Sequence, residues 1–174
     1  MTFIKKIISG GQTGADQGGL MAAWERGIST GGWCPAEYRT NIGPNPLLEV
    51  LGLEETEEQG YKKRTCLNVE KAGATLLFGF DLSSPGSQLT YKEATSTGKP
   101  VFVFEFPHGK KDEDVQEIRL VEAAVSFLLR HRPEIINIAG NRDNSSTLSN
   151  FNTTRRIFGI VLDLVNERCE DQMS

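Results

Sequence analysis

The stretch Ile4-Lys5-Lys6-Ile7-Ile8-Ser9-Gly10-Gly11-Gln12-Thr13-Gly14-Ala15-Asp16 sets how the rest of the chain is read. The β-branched apolar run over residues 4–8 has strand length and stops at two glycines. Over residues 15–26, Leu20, Ala23 and Trp24 fall on one helical face. The pattern predicts strand, glycine turn, helix. Downstream, residues 61–72 read as helix and 75–80 as strand, then Ser83-Ser84-Pro85-Gly86 breaks the pattern. Residues 89–97 read as helix, Gly98-Lys99-Pro100 ends it, and 101–104 read as strand. Residues 112–130 form an amphipathic helix on Ile118, Val121, Val125, Leu128 and Leu129. Residues 135–139 give another strand, and Ile157, Ile160, Val161, Leu164 and Val165 mark a final helix with Asn152 or Thr153 as its cap.

Strand and helix thus alternate about five times, and the strands read as unbroken apolar runs, as expected for a parallel sheet covered on both faces. The predicted fold class is α/β, a doubly wound, mostly parallel sheet with helices on both faces, with residues 1–174 forming one domain. Residues 47–60, acidic at Glu54, Glu55, Glu57 and Glu58 and preceded by Gly43-Pro44-Asn45-Pro46, predict a long surface excursion with little packing.

The chain has 174 residues, 38% of them hydrophobic, and its 18 glycines bring the apolar share to about half, the usual globular proportion. A chain of this size can build a full core without disulfides or a structural metal. Apolar runs such as residues 74–80 are far shorter than the roughly 20 residues that cross a bilayer. Residues 1–6 show no apolar signal core with a cleavage site. Cys34, Cys66 and Cys169 are an odd count without a CxxC pair, so neither a disulfide framework nor a zinc site is indicated. A cytoplasmic, reducing location is the expectation. Net charge is −4 and the longest basic run is Lys62-Lys63-Arg64, which argues against a nucleic-acid or membrane partner and for a small anionic ligand held by local donors.

Ligands of open parallel sheets lie at the carboxyl ends of the strands, and three predicted strand ends carry glycine-rich polar segments. In the first, Gly10, Gly11 and Gly14 let the backbone approach a ligand closely, and Gln12, Thr13 and the free N–H groups of the next helix suit a phosphate or carboxylate. The same residues read equally as a tight turn in which Asp16 complements the helix dipole. The segment lacks the lysine of a P-loop and is not GxGxxG. In the second, Gly86, Ser87 and Thr90 either cap the helix that follows or donate to a ligand oxygen. The third, Gly140-Asn141-Arg142-Asp143-Asn144-Ser145, offers an arginine fork for an anion or is a turn with an exposed arginine.

Tyr61, Arg64, Thr65 and Asn68 form a polar stripe on one helix, either a solvated face or a pocket lining. Gly31-Gly32-Trp33-Cys34-Pro35 reads as a glycine-punctuated loop in which Trp33 can stack on a flat heterocycle, while Cys34 is either a buried small hydrophobe or a ligand for a thiophilic metal. His108 and His131 do not suggest catalysis, and no Ser-His-Asp order or HExxH pattern occurs.

Taken together, residues 7–16, Gly31-Gly32-Trp33-Cys34-Pro35 and Tyr61-Lys62-Lys63-Arg64-Thr65 with Asn68-Val69 resemble the putative molybdenum carrier family, the circularly permuted YpsA-type branch of the SLOG superfamily. The resemblance runs over residues 7–165. It implies a Rossmann-like fold, a homo-oligomer, and a ligand that is nucleotide-like or pterin-like, a nucleotide or the molybdenum cofactor. It assigns Gly10, Gly11, Thr13, Gly14 and Asp16 to a first phosphate loop and Arg64, Thr65 and Asn68 to a lining helix. Gly86, Ser87 and Thr90 form a second loop, and Gly140 and Arg142 a third. The chain departs from the family pattern at Pro85-Gly86-Ser87, where Gly-Gly-Thr is usual, at Gly140-Asn141-Arg142, where Gly-Pro-Arg is usual, and at Ala72-Gly73, where Ser-Asp is common.

The superfamily also contains lysine-decarboxylase-like phosphoribohydrolases with the pattern PGGxGTxxE, which residues 85–93 match at Pro85, Gly86, Thr90 and Glu93. The expected function is therefore binding of a phosphorylated nucleotide-like or pterin-like molecule, as a carrier. The alternative is a hydrolase that cleaves the N-glycosidic bond of a nucleoside 5′-monophosphate with Glu93 as its catalytic carboxylate.

Overall fold

The structure is a computed structural model that describes residues 2–57, 60–109, 111–143 and 149–171. In chain order its elements are β1 (Lys6–Ser9), α1 (Ala15–Trp24), β2 (Ser29–Cys34), a 3-10 turn (Ala36–Tyr38), β3 (Arg39–Thr40), β4 (Gly43–Pro44), α2 (Leu47–Val50) and β5 (Leu53–Glu55). They continue with α3 (Tyr61–Lys71), β6 (Ala74–Gly79), α4 (Pro85–Ser96), β7 (Val101–Glu105), α5 (Glu113–His131), β8 (Ile135–Gly140) and α6 (Asn150–Asp171).

Six strands form one parallel sheet in the order β5-β2-β1-β8-β6-β7, and β3 and β4 make a small antiparallel ladder. From β1 the chain winds outward to β2 and β5. It then crosses to β6 and β7, and finally inserts β8 between β1 and β6. This reversal of direction opens a crevice at the carboxyl ends of β1, β8 and β6. Helix α1 packs against α6 and α6 against α5, while α3 packs against α4. The predicted doubly wound α/β sheet is the one observed. No helix among the described residues is long and apolar enough to cross a membrane.

The main core lies between the central strands and α1, α5 and α6. Phe78 stacks on Phe104 at a centroid distance of 5.3 Å and tilts against Phe158 at 5.8 Å. Helix α1 lies tight against this core because Gly18 and Gly19 carry no Cβ, which would meet the Phe151 backbone and the Ile138 side chain. Small residues do this work, so the predicted apolar face needs correcting: Leu20 and Ala23 are buried, but Trp24, in the last turn, is 50% exposed. On α5, Val121, Val125 and Leu128 are buried and Ile118 faces solvent.

Residues 47–60 are also not the loosely packed excursion their acidic composition suggested. Leu48, Leu51 and Leu53 are buried with Leu20 and Cys34 in a second cluster, and β5 pairs with β2 through Leu53, Glu54 and Glu55. Alternation explains the difference, since three leucines turn inward while the glutamates between and after them remain outside.

The Gly31–Cys34 stretch is strand, not loop. Its glycine at position 32 has φ +118°, and a Cβ there would collide with the Ser9 backbone and lie 2.8 Å from Asn68 Oδ1. Crowding, rather than turning, is what this glycine serves. Two helix starts also shift. Helix α4 begins at Pro85, where a missing N–H is harmless, so Gly86, Ser87 and Thr90 belong to its first turns. Helix α6 begins at Asn150, ahead of Asn152 and Thr153. The Asp143 carboxylate accepts from the Asn150 N–H at 2.6 Å and the Phe151 N–H at 3.2 Å, capping it from outside the helix.

Gly32→Ala combines a disfavoured φ with an overlap against backbone, and is expected to destabilise the fold by about 2 kcal/mol or more. Urea unfolding of the variant measures this, and a midpoint equal to the parent's would contradict it.

Candidate functional site

The crevice holds a cavity of about 480 Å³, within the usual size range of small-molecule sites. Gln12 and Asp16 enter its wall after β1, Phe80 and Asp81 after β6, and Gly140, Asn141 and Arg142 after β8. Tyr61, Arg64 and Thr65 face it from α3, Ser84, Gly86, Leu89 and Thr90 from the α4 end, and Asn150 from α6.

Asn141 ties these strand ends together. Its N–H donates to Phe78 O at 3.0 Å, and its carbonyl accepts from the Ala15 N–H at 2.9 Å. Its side-chain Oδ1 accepts from the Asp81 N–H at 2.9 Å, while Nδ2 donates to Asp81 O at 2.7 Å. The same Nδ2 reaches Ser84 Oγ and Ser87 Oγ at 3.3 and 3.4 Å. Gly79 leaves room for this amide, since a Cβ there would overlap Asn141 Oδ1.

Asp16 and Arg64 form a buried ion pair at 3.1 Å, their side chains 3% and 12% exposed. Arg64 also lies 5.7 Å from the centre of the Tyr61 ring. Gly10 makes this possible, because any side chain there would overlap the Arg64 guanidinium. Burial pushes the Asp16 carboxyl above the ordinary carboxylate range, against the pull of Arg64 and of the Gln12 N–H. Asp81 sits at the open side, its carboxyl lowered by hydrogen bonds from the Ser83 hydroxyl and N–H.

The expectation of free amides around Thr13 is corrected for three of them. The Gln12 N–H donates to Asp16 Oδ2 at 3.2 Å, the Thr13 N–H to Gln12 Oε1 at 3.0 Å and the Ala15 N–H to Asn141 O at 2.9 Å. Thr13 Oγ1 donates to Asn41 Oδ1 at 2.6 Å, so the tip of the β3–β4 hairpin covers this turn. The amides of Gln12, Thr13, Ala15, Gln17 and Gly18 are thus met by the chain's own groups.

Of the residues expected to bind ligand, Gln12, Asp16, Arg64, Thr65, Gly86, Thr90, Gly140 and Arg142 line the cavity; Gly10, Gly11, Thr13, Gly14, Trp33, Asn68 and Ser87 do not. Gly11 instead faces Leu48 and Leu53, and Gly14 faces the backbone of residues 141–143. Asn68 clamps β2, accepting from the Trp33 N–H at 3.0 Å and donating to Trp33 O at 2.9 Å. Ser87 is buried beneath the wall against Ser84 and Asn141. Cys34 is buried, its thiol pushed up to about 11 mainly by burial. Glu93 is not a wall residue; it lies beside Cys66 between α3 and α4. Asn144 and Ser145 lie outside the described residues. Sequence reasoning left Tyr61 open between a solvated face and a pocket lining, and did not single out Phe80, Asp81, Ser84, Asn141 or Asn150 as wall residues. Asn141 stood beside Arg142 in a recognised segment, but nothing local marked its side chain as the tie.

The chain matches the family described as the circularly permuted YpsA SLOG family over residues 7–158. It belongs to that family. A solved structure of a similar protein, the putative molybdenum carrier protein of Syntrophus aciditrophicus SB, is 30% identical with a TM-score of 0.75. That similarity covers 94% of this chain and 96% of the other. No curated protein matches. Within this SLOG chain, the family's parallel sheet places the cavity at the three central strand ends. No group of three or more His, Cys, Asp or Glu among the described residues is arranged to hold a metal ion.

The raised Asp16 carboxyl has a pH consequence. In the unfolded chain it titrates at its ordinary value of 3.8. Its contribution to stability is therefore fully present below that value and lost as pH rises through the higher folded value. Asp16→Asn removes this slope. Denaturant unfolding of both chains from about pH 4 to about pH 8 should give a flatter profile for the variant, and parallel profiles would contradict the assignment.

Proposed function

We propose that this chain binds and carries a small phosphorylated molecule of nucleotide-like or pterin-like shape. The observation that supports it most is the convergence of a cation pair, a helix start and flat apolar groups on one cavity. Arg142 has no ion-pair partner among the described residues, and Arg64 stands on the facing wall with its Nε unpartnered. At the start of α4 the amides of Gly86 and Ser87 have no intrahelical acceptor, so they and the helix dipole favour an anion beside Arg142. Phe80, Leu89 and the Tyr61 ring supply the apolar surface a heterocycle needs.

The protein from Syntrophus is named for carriage of molybdenum, and a pterin-bound metal suits the present cavity better than a bare one. Cysteine is absent from the wall residues, so the donor set of amides, hydroxyls and guanidinium groups fits phosphate and a heterocycle rather than a soft metal. The N-glycosidic hydrolase reading has less support. Glu93 points to Cys66 rather than the cavity, and of the two carboxylates at the wall Asp16 is engaged by Arg64.

Gly86 offers the test. A Cβ at this position meets nothing within 4 Å, and the residue lines the cavity. Gly86→Leu should fill the cavity without disturbing the core. Gly11, by contrast, has φ +71° and faces Leu48 and Leu53, so bulk there strikes the fold itself. Native mass spectrometry of the freshly purified chain should show a retained small molecule on an assembly of two or more copies. Calorimetry should then show nucleoside monophosphates or a phosphorylated pterin binding the parent and losing at least tenfold in Gly86→Leu at unchanged melting temperature. Equal binding by the two chains would reject the site.

A further inference from the structure

Four buried side-chain polar atoms lack a hydrogen-bond partner among the described residues: Arg64 Nε, Asn137 Oδ1, Asn150 Oδ1 and Thr154 Oγ1. Two of these atoms are carried by residues of the cavity wall, the donor by Arg64 and the acceptor by Asn150. A buried polar group without a partner costs about 1–3 kcal/mol, so it calls for an account of what satisfies it. Arg64 is accounted for by the anionic ligand already proposed. Asn150 is not, because a carbonyl oxygen repels an anion and accepts only from an N–H or O–H.

Asn150 is 8% exposed and firmly placed. Its N–H donates to Asp143 Oδ1 at 2.6 Å, and its Nδ2 donates to Arg142 O at 3.3 Å. The amide group is therefore tethered through its nitrogen to the very residue whose side chain offers the counter-charge, leaving the oxygen as the free end. Asn137 and Thr154 are not wall residues.

We propose that Asn150 selects the uncharged part of the ligand by accepting, at Oδ1, a hydrogen bond from an N–H or O–H of its heterocycle or ribose. This rests on the small-molecule binding proposed above and adds a specificity residue that the phosphate contacts do not supply. Sites that hydrogen-bond a ligand donor reject analogues lacking it, because the buried protein group is then left unpaired. The paired roles are separate: arginine and helix start hold charge, and Asn150 reads a neutral donor.

Inosine 5′-monophosphate is a suitable probe because its base carries a single N–H. Calorimetry would compare it with its 1-methyl form, which lacks that N–H, and with its 2′,3′-dideoxy form, which lacks the ribose hydroxyls. The parent chain should bind inosine monophosphate five- to tenfold more tightly than whichever analogue lacks the recognised donor, and Asn150→Ala should abolish that preference. The analogue affected distinguishes a base donor from a ribose donor. Asn150→Leu, which matches the amide in shape and offers no acceptor, should abolish the preference as well. Melting temperatures of both variants separate misfolding from lost recognition, and if Asn150→Ala unfolds, Asn150→Leu against the parent still reads the preference.

A parent chain that binds all three nucleotides equally, or an Asn150→Ala chain that keeps the preference, overturns the proposal while leaving the binding function intact. An Asn150→Leu chain that folds and keeps the preference likewise overturns it. A parent chain that takes up none of the three overturns this proposal, while calorimetry with the other nucleoside monophosphates and a phosphorylated pterin decides the binding function separately.

Discussion

The crevice depends on the bonds of one amide side chain and its backbone. Asn141 spans the start of α1, the ends of β6 and β8 and the start of α4, giving and receiving hydrogen bonds with Ala15, Phe78, Asp81 and Ser84. Individually such bonds contribute about 1 kcal/mol each, but a satisfied network specifies one arrangement where separate loops would sample several. Where the family pattern usually has proline, this chain has a residue whose N–H and side-chain amide both bond. A proline could give neither the bond to Phe78 O nor the bonds to Asp81.

The second constraint is electrostatic. Placing Asp16 and Arg64 together behind the cavity removes two charges from water, and the ion pair only partly repays that cost. The arrangement nonetheless uses each group twice. Asp16 satisfies the Gln12 N–H in the turn before α1 and fixes Arg64, while Arg64 crosses over Gly10 to reach the cavity wall. The glycine-rich turn is thus less a cradle for a ligand than a gap through which an arginine is positioned. The cradle we propose lies at the end of β8, one strand from β1, and at the start of α4, which follows β6.

How much of this was legible in the sequence varied with the physics involved. Strand and helix alternation was plain because strands buried on both faces are continuous apolar runs, and the doubly wound sheet followed. Strand β5 was hidden because Leu48, Leu51 and Leu53 are diluted by glutamates that dominate the composition. The glycines of β2 read as a turn, since local sequence cannot tell a glycine required by crowding from one required by reversal. The α3 stripe was half right: Tyr61, Arg64 and Thr65 reach the cavity, and Asn68, one turn on, serves the backbone of β2. Asn141 and Asn150 could not have been singled out, because their roles rest on partners 54 to 126 and 7 to 8 residues away whose positions only the folded chain defines.

The most direct measurement is a crystal structure of the chain grown with a nucleoside 5′-monophosphate. The account predicts phosphate density within hydrogen-bonding distance of the Gly86 amide and the Arg142 guanidinium, with the ring running toward Phe80 and Leu89. Phosphate bound instead on the turn around Thr13, or among Arg26, Arg155 and Arg156 on the opposite helices, would contradict it.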